Sequence, residues 1–370
     1  MAEPPTSTRL AGPLPGRLLR MPPAPLLVRV GAALLVPWIL LEVGLRLAGY
    51  HAPDMRARLA LFPKFPAFYE PDRDLTWVLK ANLDWRGLEL AAPFTTDAQG
   101  HRITASPPDT RTPPLVDCLG DSSTFGFGVG DLEAFPALLG ARLGDREGRV
   151  RNLGVPGYSV FQAEMLAERQ EGRAPVTLVM VGFNDHFPAL RSQLVDWRRR
   201  RLAYTCFMSR VCSLAFDYLT EPDPTTPAPS SAAPDYVPAV SPAEYRAELG
   251  ETVQALRRAG SEPILLVYPP LLVDDSVKEA VAAHWHQPRD QVDANVAAHP
   301  RYQQLTRDVA AEERVTLVDL DAAFAAAGNA ALHLDWVHPN GAGHALIAQS
   351  VESAVRAALA RDGVRATSRP

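Results

Sequence analysis

A chain of 370 residues with 47% hydrophobic and 21% charged side chains has the apolar material for a sizeable core, which excludes a disordered or fibrous protein. Its 37 Lys and Arg against 42 Asp and Glu leave a net charge of −5; with no basic excess to neutralise phosphates, nucleic-acid binding is excluded. Three cysteines do not make a disulfide framework.

Residues 1–25 read as a proline-rich, solvated tail that cannot bury a core. Residues 26–48, LLVRVGAALLVPWILLEVGLRLA, are the most apolar segment. The charge-free run from Val30 to Leu41 is short, because a membrane span needs about 20 residues. Arg29 and Arg46, however, stand near the ends where long side chains snorkel, and Glu42 and Arg46 are spaced to pair on a helix. A single uncleaved transmembrane anchor is expected here. A helix buried in the soluble domain and a cleaved signal peptide stay open, the latter without an A-x-A site. Arg9, Arg17, Arg20 and Arg29 precede the segment and Arg46, Arg56, Arg58 and Lys64 follow it, so charge bias leaves the orientation undecided.

Residues 49–110 mix aromatics, prolines and polar runs, a juxtamembrane accessory region of short strands and turns. From residue 111 to 361 the rhythm alternates. PLVDCLG, GRVRNLGV, PVTLVMVG, EPILLVYPP and VTLVDL read as strands. Between and after them DLEAFPALLGARLG, VFQAEMLAERQ, the segment from Ser241 to Gly260, residues 291–313 and the run after Gly341 read as helices. Ser241-Pro242-Ala243-Glu244 is a capping box with proline at the first helical position. A proline-rich insert fills 221–242, and 362–370 form a C-terminal tail. This alternation predicts an α/β domain with a parallel sheet covered by helices on both faces. Ligands of such sheets bind beyond the carboxyl ends of the strands.

Those ends carry Gly120-Asp121-Ser122, then Asn152-Leu153-Gly154-Val155-Pro156-Gly157, then Gly182-Phe183-Asn184-Asp185, and after the last strand Asp335-Trp336-Val337-His338-Pro339. A serine nucleophile needs a base, and His338 can take its proton. Asp335 can hold the imidazole's tautomer and stabilise its cation. The N–H groups of Ser122 and Gly157 and the amide of Asn184 can supply an oxyanion hole. Each motif alone has a plain structural reading as a turn or a helix cap; their recurrence at successive strand ends points to acyl transfer. His333, Asp335, His338 and His344 cluster in sequence, but two of them are claimed by this triad, so no metal and no cofactor are expected. Phe125 and Phe127 either line an acyl pocket or pack the start of a helix. Cys118 reads as a core residue, and Cys206 and Cys212 could pair if the chain bends between them.

GDS, NxGxxG, GxND and DxxHP, in this order over residues 111–361, resemble the SGNH (GDSL) hydrolase superfamily of esterases and lipases. The resemblance implies a flavodoxin-like α/β/α sandwich of about five parallel strands, Ser122 as nucleophile, Asp335 and His338 as its triad partners, and Gly157 and Asn184 as oxyanion donors. Gly154 competes for the glycine role; Gly157 is preferred because the family's glycine commonly stands five residues after the asparagine. LLEVGLRLAGY followed by an aromatic region is similar to bacterial members anchored in the inner membrane with an extracytoplasmic catalytic domain. The expected function is cleavage of an acyl ester, acetyl or longer, on a glycan, lipid or small molecule. Transfer of the acyl group to an envelope glycan, or an idle glycan- or partner-binding domain, are the alternatives. The sequence leaves the oligomeric state open.

Overall fold

The computed structural model describes residues 26–50, 68–72, 74–86, 92–105, 113–144, 149–169, 174–189, 209–212, 214, 237–285 and 289–367. The expected tail at 1–25, Cys206 and most of the proline-rich insert lie outside them.

Helix α1 spans Leu26–Leu47, where the anchor is expected. Its side chains are described from Ala33 onward, and among the described residues no helix is long and apolar enough to cross a membrane. The helix is therefore observed and the span is not: Pro37 lies inside it, and Glu42 and Arg46 place an ion pair in its last turns.

Next comes a small aromatic unit. Strands β1 (Tyr69–Asp72) and β2 (Thr76–Leu79) pair antiparallel, as do β3 (Asp84–Trp85) and β4 (Phe94–Thr95). Phe68, Leu75, Leu79 and Phe94 pack there with Phe125, Val155 and Tyr158 of the following domain. The accessory region thus has its own core, continuous with the larger one.

The main sheet holds β5 (Val116–Gly120), β6 (Val150–Gly154), β7 (Val176–Met180), β10 (Glu262–Val267) and β11 (Thr316–Asp319) in the order β11-β10-β7-β5-β6. All its pairings are parallel. This is the 2-1-3-4-5 order of flavodoxin-like folds. Alternation along each strand divides the core. Val116, Cys118, Leu178, Met180, Ile264 and Leu266 face α3 (Phe135–Leu143), α8 (Leu320–Ala327) and α9 (Gly341–Thr367). Leu119, Val179 and Leu265 face α4 (Val160–Arg169), α5 (Pro242–Arg258) and α7 (Arg289–Glu313). Helix α6 is Asp275–Trp285. A two-strand pair, β8 (Pro188–Ala189) with β9 (Val237–Pro238), joins the chain shortly after β7 to the last part of the insert.

Local chemistry sets the boundaries. Ser241 accepts the Glu244 N–H at 3.3 Å and Glu244 accepts the Ser241 N–H at 2.9 Å, so α5 starts on the expected capping box. The helix expected over 131–144 divides instead: a 3-10 turn covers Asp131–Glu133, and α3 begins at Phe135. Pro136 in the first turn of α3 has no N–H to carry a helix through from that turn. The four-residue helix α2 (Ser122–Phe125) follows β5 at once, with Asp121 capping it through the Ser123 N–H at 2.9 Å.

Gly154 allows α2 to lie against β6. A Cβ there would fall 2.2 Å from the Phe125 nitrogen, contact that only rearrangement relieves. Gly154→Ala is expected to lower stability by about 1–3 kcal/mol, the usual cost of overpacking, measured by urea unfolding.

Asp185 is wholly buried, accepts the Val160 N–H at 2.9 Å and so ties the end of β7 to α4. Burial, reinforced by nearby Asp121, pushes its pKa up to about 7; burial pushes Asp121 up to about 6. A carboxyl raised in the fold binds its proton more tightly folded than unfolded. Its stabilising contribution is complete below the unfolded value of about 4 and is lost as pH rises toward the folded value. Asp185→Asn keeps the acceptor and removes the titration. The decline in Tm from pH 4 to pH 7 is therefore expected to be shallower in the variant than in the parent, read by thermal melts across that range.

Candidate active site

The parallel sheet brings the relevant loops to one end. Ser122 is the first residue of α2, directly beyond β5. His338 reaches it from the segment after α8, its Nε2 2.9 Å from Ser122 Oγ. Its Nδ1 lies 2.6 Å from Asp335 Oδ2. The second Asp335 oxygen accepts the main-chain N–H groups of Val337 at 2.9 Å and His338 at 2.7 Å. The Asp-x-x-His spacing therefore makes a tight turn in which the carboxylate holds both the histidine's backbone and its ring. Burial opposes ionisation of Asp335, but the hydrogen bond and charge of His338 and the two N–H donors prevail and hold it below the usual carboxylate range.

Gly157 adopts φ +86°, the left-handed region open to glycine. It belongs to the turn Val155–Tyr158, closed by the Tyr158 N–H to the Val155 carbonyl at 3.1 Å. Gly154, the competing glycine, donates its N–H to Asn152 Oδ1 at 3.0 Å, which leaves Gly157 the better placed. Asn184 donates to the Tyr158 carbonyl at 2.8 Å and faces Asp121 Oδ2 at 3.4 Å. One amide thus ties the neighbour of Gly157 to the neighbour of Ser122, and all five expected residues gather at one end of the sheet.

The other candidates separate. Phe125 is buried among Phe94 and the Arg102 guanidinium, so it packs the helix. Phe127 is half-buried with its ring 4.7 Å from that of His338; it stands at the site. His333 bonds to the Asn329 carbonyl at 3.0 Å and His344 accepts the Phe135 N–H at 3.2 Å in the core. Among the described residues no group of His, Cys, Asp or Glu is arranged to hold a metal ion. Cys118 is buried in β5.

Several contributors escaped the sequence reading. Tyr268, at the end of β10, lies 2.6 Å from Ser123 Oγ and donates to Asp121 at 3.3 Å. Arg102, almost wholly buried, donates to the carbonyls of Phe125 at 2.8 Å, Gly126 at 2.6 Å and Val129 at 2.6 Å, and to Asp131 at 2.9 Å. It braces the chain just after the nucleophile candidate. Its only sequence signal is a charged residue within an otherwise aromatic and polar stretch.

The profile described as the GDSL-like Lipase/Acylhydrolase family matches residues 118–346. No curated protein matches the chain. Among solved structures, the chain is similar to LAE5, an alpha/beta hydrolase enzyme from the metagenome of Lake Arreo, Spain, at 24% identity, with 65% of this chain and 94% of that one covered and a TM-score of 0.40. It is similar to a lipase/acylhydrolase from Enterococcus faecalis at 16% identity, covering 65% and 96% with a TM-score of 0.40. A third is the acetylxylan esterase Axe2 from Geobacillus stearothermophilus, at 20% identity, covering 67% and 95% with a TM-score of 0.40. The profile spans more than half of the chain, from within β5 into α9, and on that match the chain belongs to the GDSL-like lipase/acylhydrolase family.

Proposed function

We propose that the protein is a serine esterase that cleaves an acyl ester through an acyl-serine intermediate. One observation carries the reading: the unbroken hydrogen-bond chain from Asp335 through His338 to Ser122 Oγ, at 2.6 and 2.9 Å. Ser122 Oγ attacks the acyl carbon as His338 Nε2 takes the hydroxyl proton. The carbonyl oxygen becomes an oxyanion held by the N–H groups of Ser122 and Gly157 and by the Asn184 side-chain amide. His338 returns the proton to the departing alcohol, and the C–O bond of the ester breaks. Water, deprotonated by the same imidazole, then splits the acyl-serine to free acid and regenerated serine. Asp335 stays ionised throughout and keeps the ring oriented.

We also infer attachment to the bacterial inner membrane through α1. The support is its exposed apolar surface, with Leu34, Leu40 and Leu47 at 71%, 67% and 84%. An extracytoplasmic catalytic domain follows from the family resemblance.

Ser122→Ala is expected to lower turnover of p-nitrophenyl acetate by about 10⁴-fold or more, with the melting temperature unchanged. Equal turnover by parent and variant would remove Ser122 from the mechanism. The full chain should sediment with membranes after a carbonate wash, and a version lacking residues 1–48 should stay in the supernatant.

A further inference from the structure

The Pro156–Gly157 peptide group has unusual company. Its carbonyl, on Pro156, accepts two side-chain hydrogen bonds from the aromatic unit: Tyr69 OH at 3.0 Å and Trp77 Nε1 at 3.2 Å. Tyr158 OH donates back to the Trp77 carbonyl at 2.7 Å, and the Trp77 and Tyr158 rings meet edge to face at 5.8 Å. The other end of the same peptide is the Gly157 N–H. A trans peptide is planar, so its N–H points opposite its C=O. Whatever fixes the Pro156 oxygen fixes the direction of the Gly157 proton.

The turn needs such fixing. Proline followed by glycine with φ +86° is the arrangement of a type II turn. The Pro156–Gly157 peptide is the central plane of that turn, the plane whose rotation separates type II from type I geometry. Two donors on one carbonyl select one face of it. They also polarise the amide, which strengthens its N–H as a donor.

We propose that Tyr69 and Trp77 are positioning residues of the oxyanion hole, aiming the Gly157 N–H by holding the Pro156 carbonyl. The inference rests on the esterase reading and on Gly157 as an oxyanion donor. The aromatic unit is thereby part of the catalytic framework. It grips the other side of the site too, since Arg102 of the same unit braces the carbonyls after Ser122.

The test is the double variant Tyr69→Phe/Trp77→Phe in the full chain. Loss of one oxyanion donor costs about 10²–10³ in kcat, so a misaimed donor should lower kcat for p-nitrophenyl acetate by about 10-fold or more, with KM within about twofold. Affinity for phenylboronic acid, which forms a tetrahedral adduct on serine, should fall by a similar factor. Arg86→Ala, which breaks an exposed ion pair with Asp84 in the same unit, should change neither quantity. Unchanged kcat, a raised KM with kcat intact, or a kcat loss without weaker boronate binding overturns the proposal. A parent without turnover instead overturns the esterase reading. Should the double variant fail to fold, Tyr69→Phe alone decides: one net hydrogen bond of about 0.6 kcal/mol corresponds to a threefold fall in kcat, and no fall overturns the proposal.

Discussion

The constraint on which the rest depends is register. Gly120 at the end of β5 stands opposite Gly154 on β6 and Met180 on β7, so three neighbouring strands end at one level. The loops leaving them carry Ser122, Gly157 and Asn184, and parallel pairing alone makes those loops neighbours. His338 comes from farther away in sequence. Its segment is tied to the chain beyond β10 by the Leu272 N–H to the Trp336 carbonyl at 2.9 Å. Four stretches distant along the chain thus meet because the sheet sets their height and the last one is fastened across the top.

Three carboxylates near this meeting point diverge in behaviour because their surroundings differ. Asp335 is partly exposed, accepts two main-chain N–H groups and an imidazole, and stays easily ionised. Asp121 and Asp185 are wholly buried, which favours their neutral forms, and the charge of Asp121 adds to the effect on Asp185. The carboxylate that bonds to the His338 ring is the one that can keep its charge. The other two serve as caps, one for the helix that starts at Ser122 and one for the helix that starts at Val160.

Much of this was legible in the sequence, for identifiable reasons. Four of the five strands are buried along nearly their whole length and the edge strand β11 is half-buried, so each is an apolar run that few helical segments imitate. Ser122, Asp335, His338 and Asn184 were legible as candidates because each carries its reactive group on a side chain, Ser122 and Asn184 shortly beyond a strand and the Asp-x-x-His pair in one short motif. Of the competing glycines, Gly154 has its N–H engaged by Asn152, a contact that the motif spacing does not reveal. Tyr69 and Trp77 were illegible because their acceptor is a main-chain carbonyl, which any residue provides, and Arg102 because most of its acceptors are. The break before α3 was hidden for a related reason: Leu132 and Phe135 keep a helical spacing across the turn. Residues 26–48 were expected to be a transmembrane anchor; a helix forms at Leu26–Leu47, but among the described residues no helix is long and apolar enough to cross a membrane.

The outer strand β6 has a further implication. Its free side is not bare: Arg102 bridges antiparallel to Asn152, and the Thr104 hydroxyl donates to the Val150 carbonyl at 2.6 Å. These contacts blunt a row of backbone groups that would otherwise invite a foreign strand. A shortened version beginning at residue 111 would keep every residue of the triad and lose that cover. Its foreseeable failing is poor solubility through stacking of naked borders, well before any defect in chemistry.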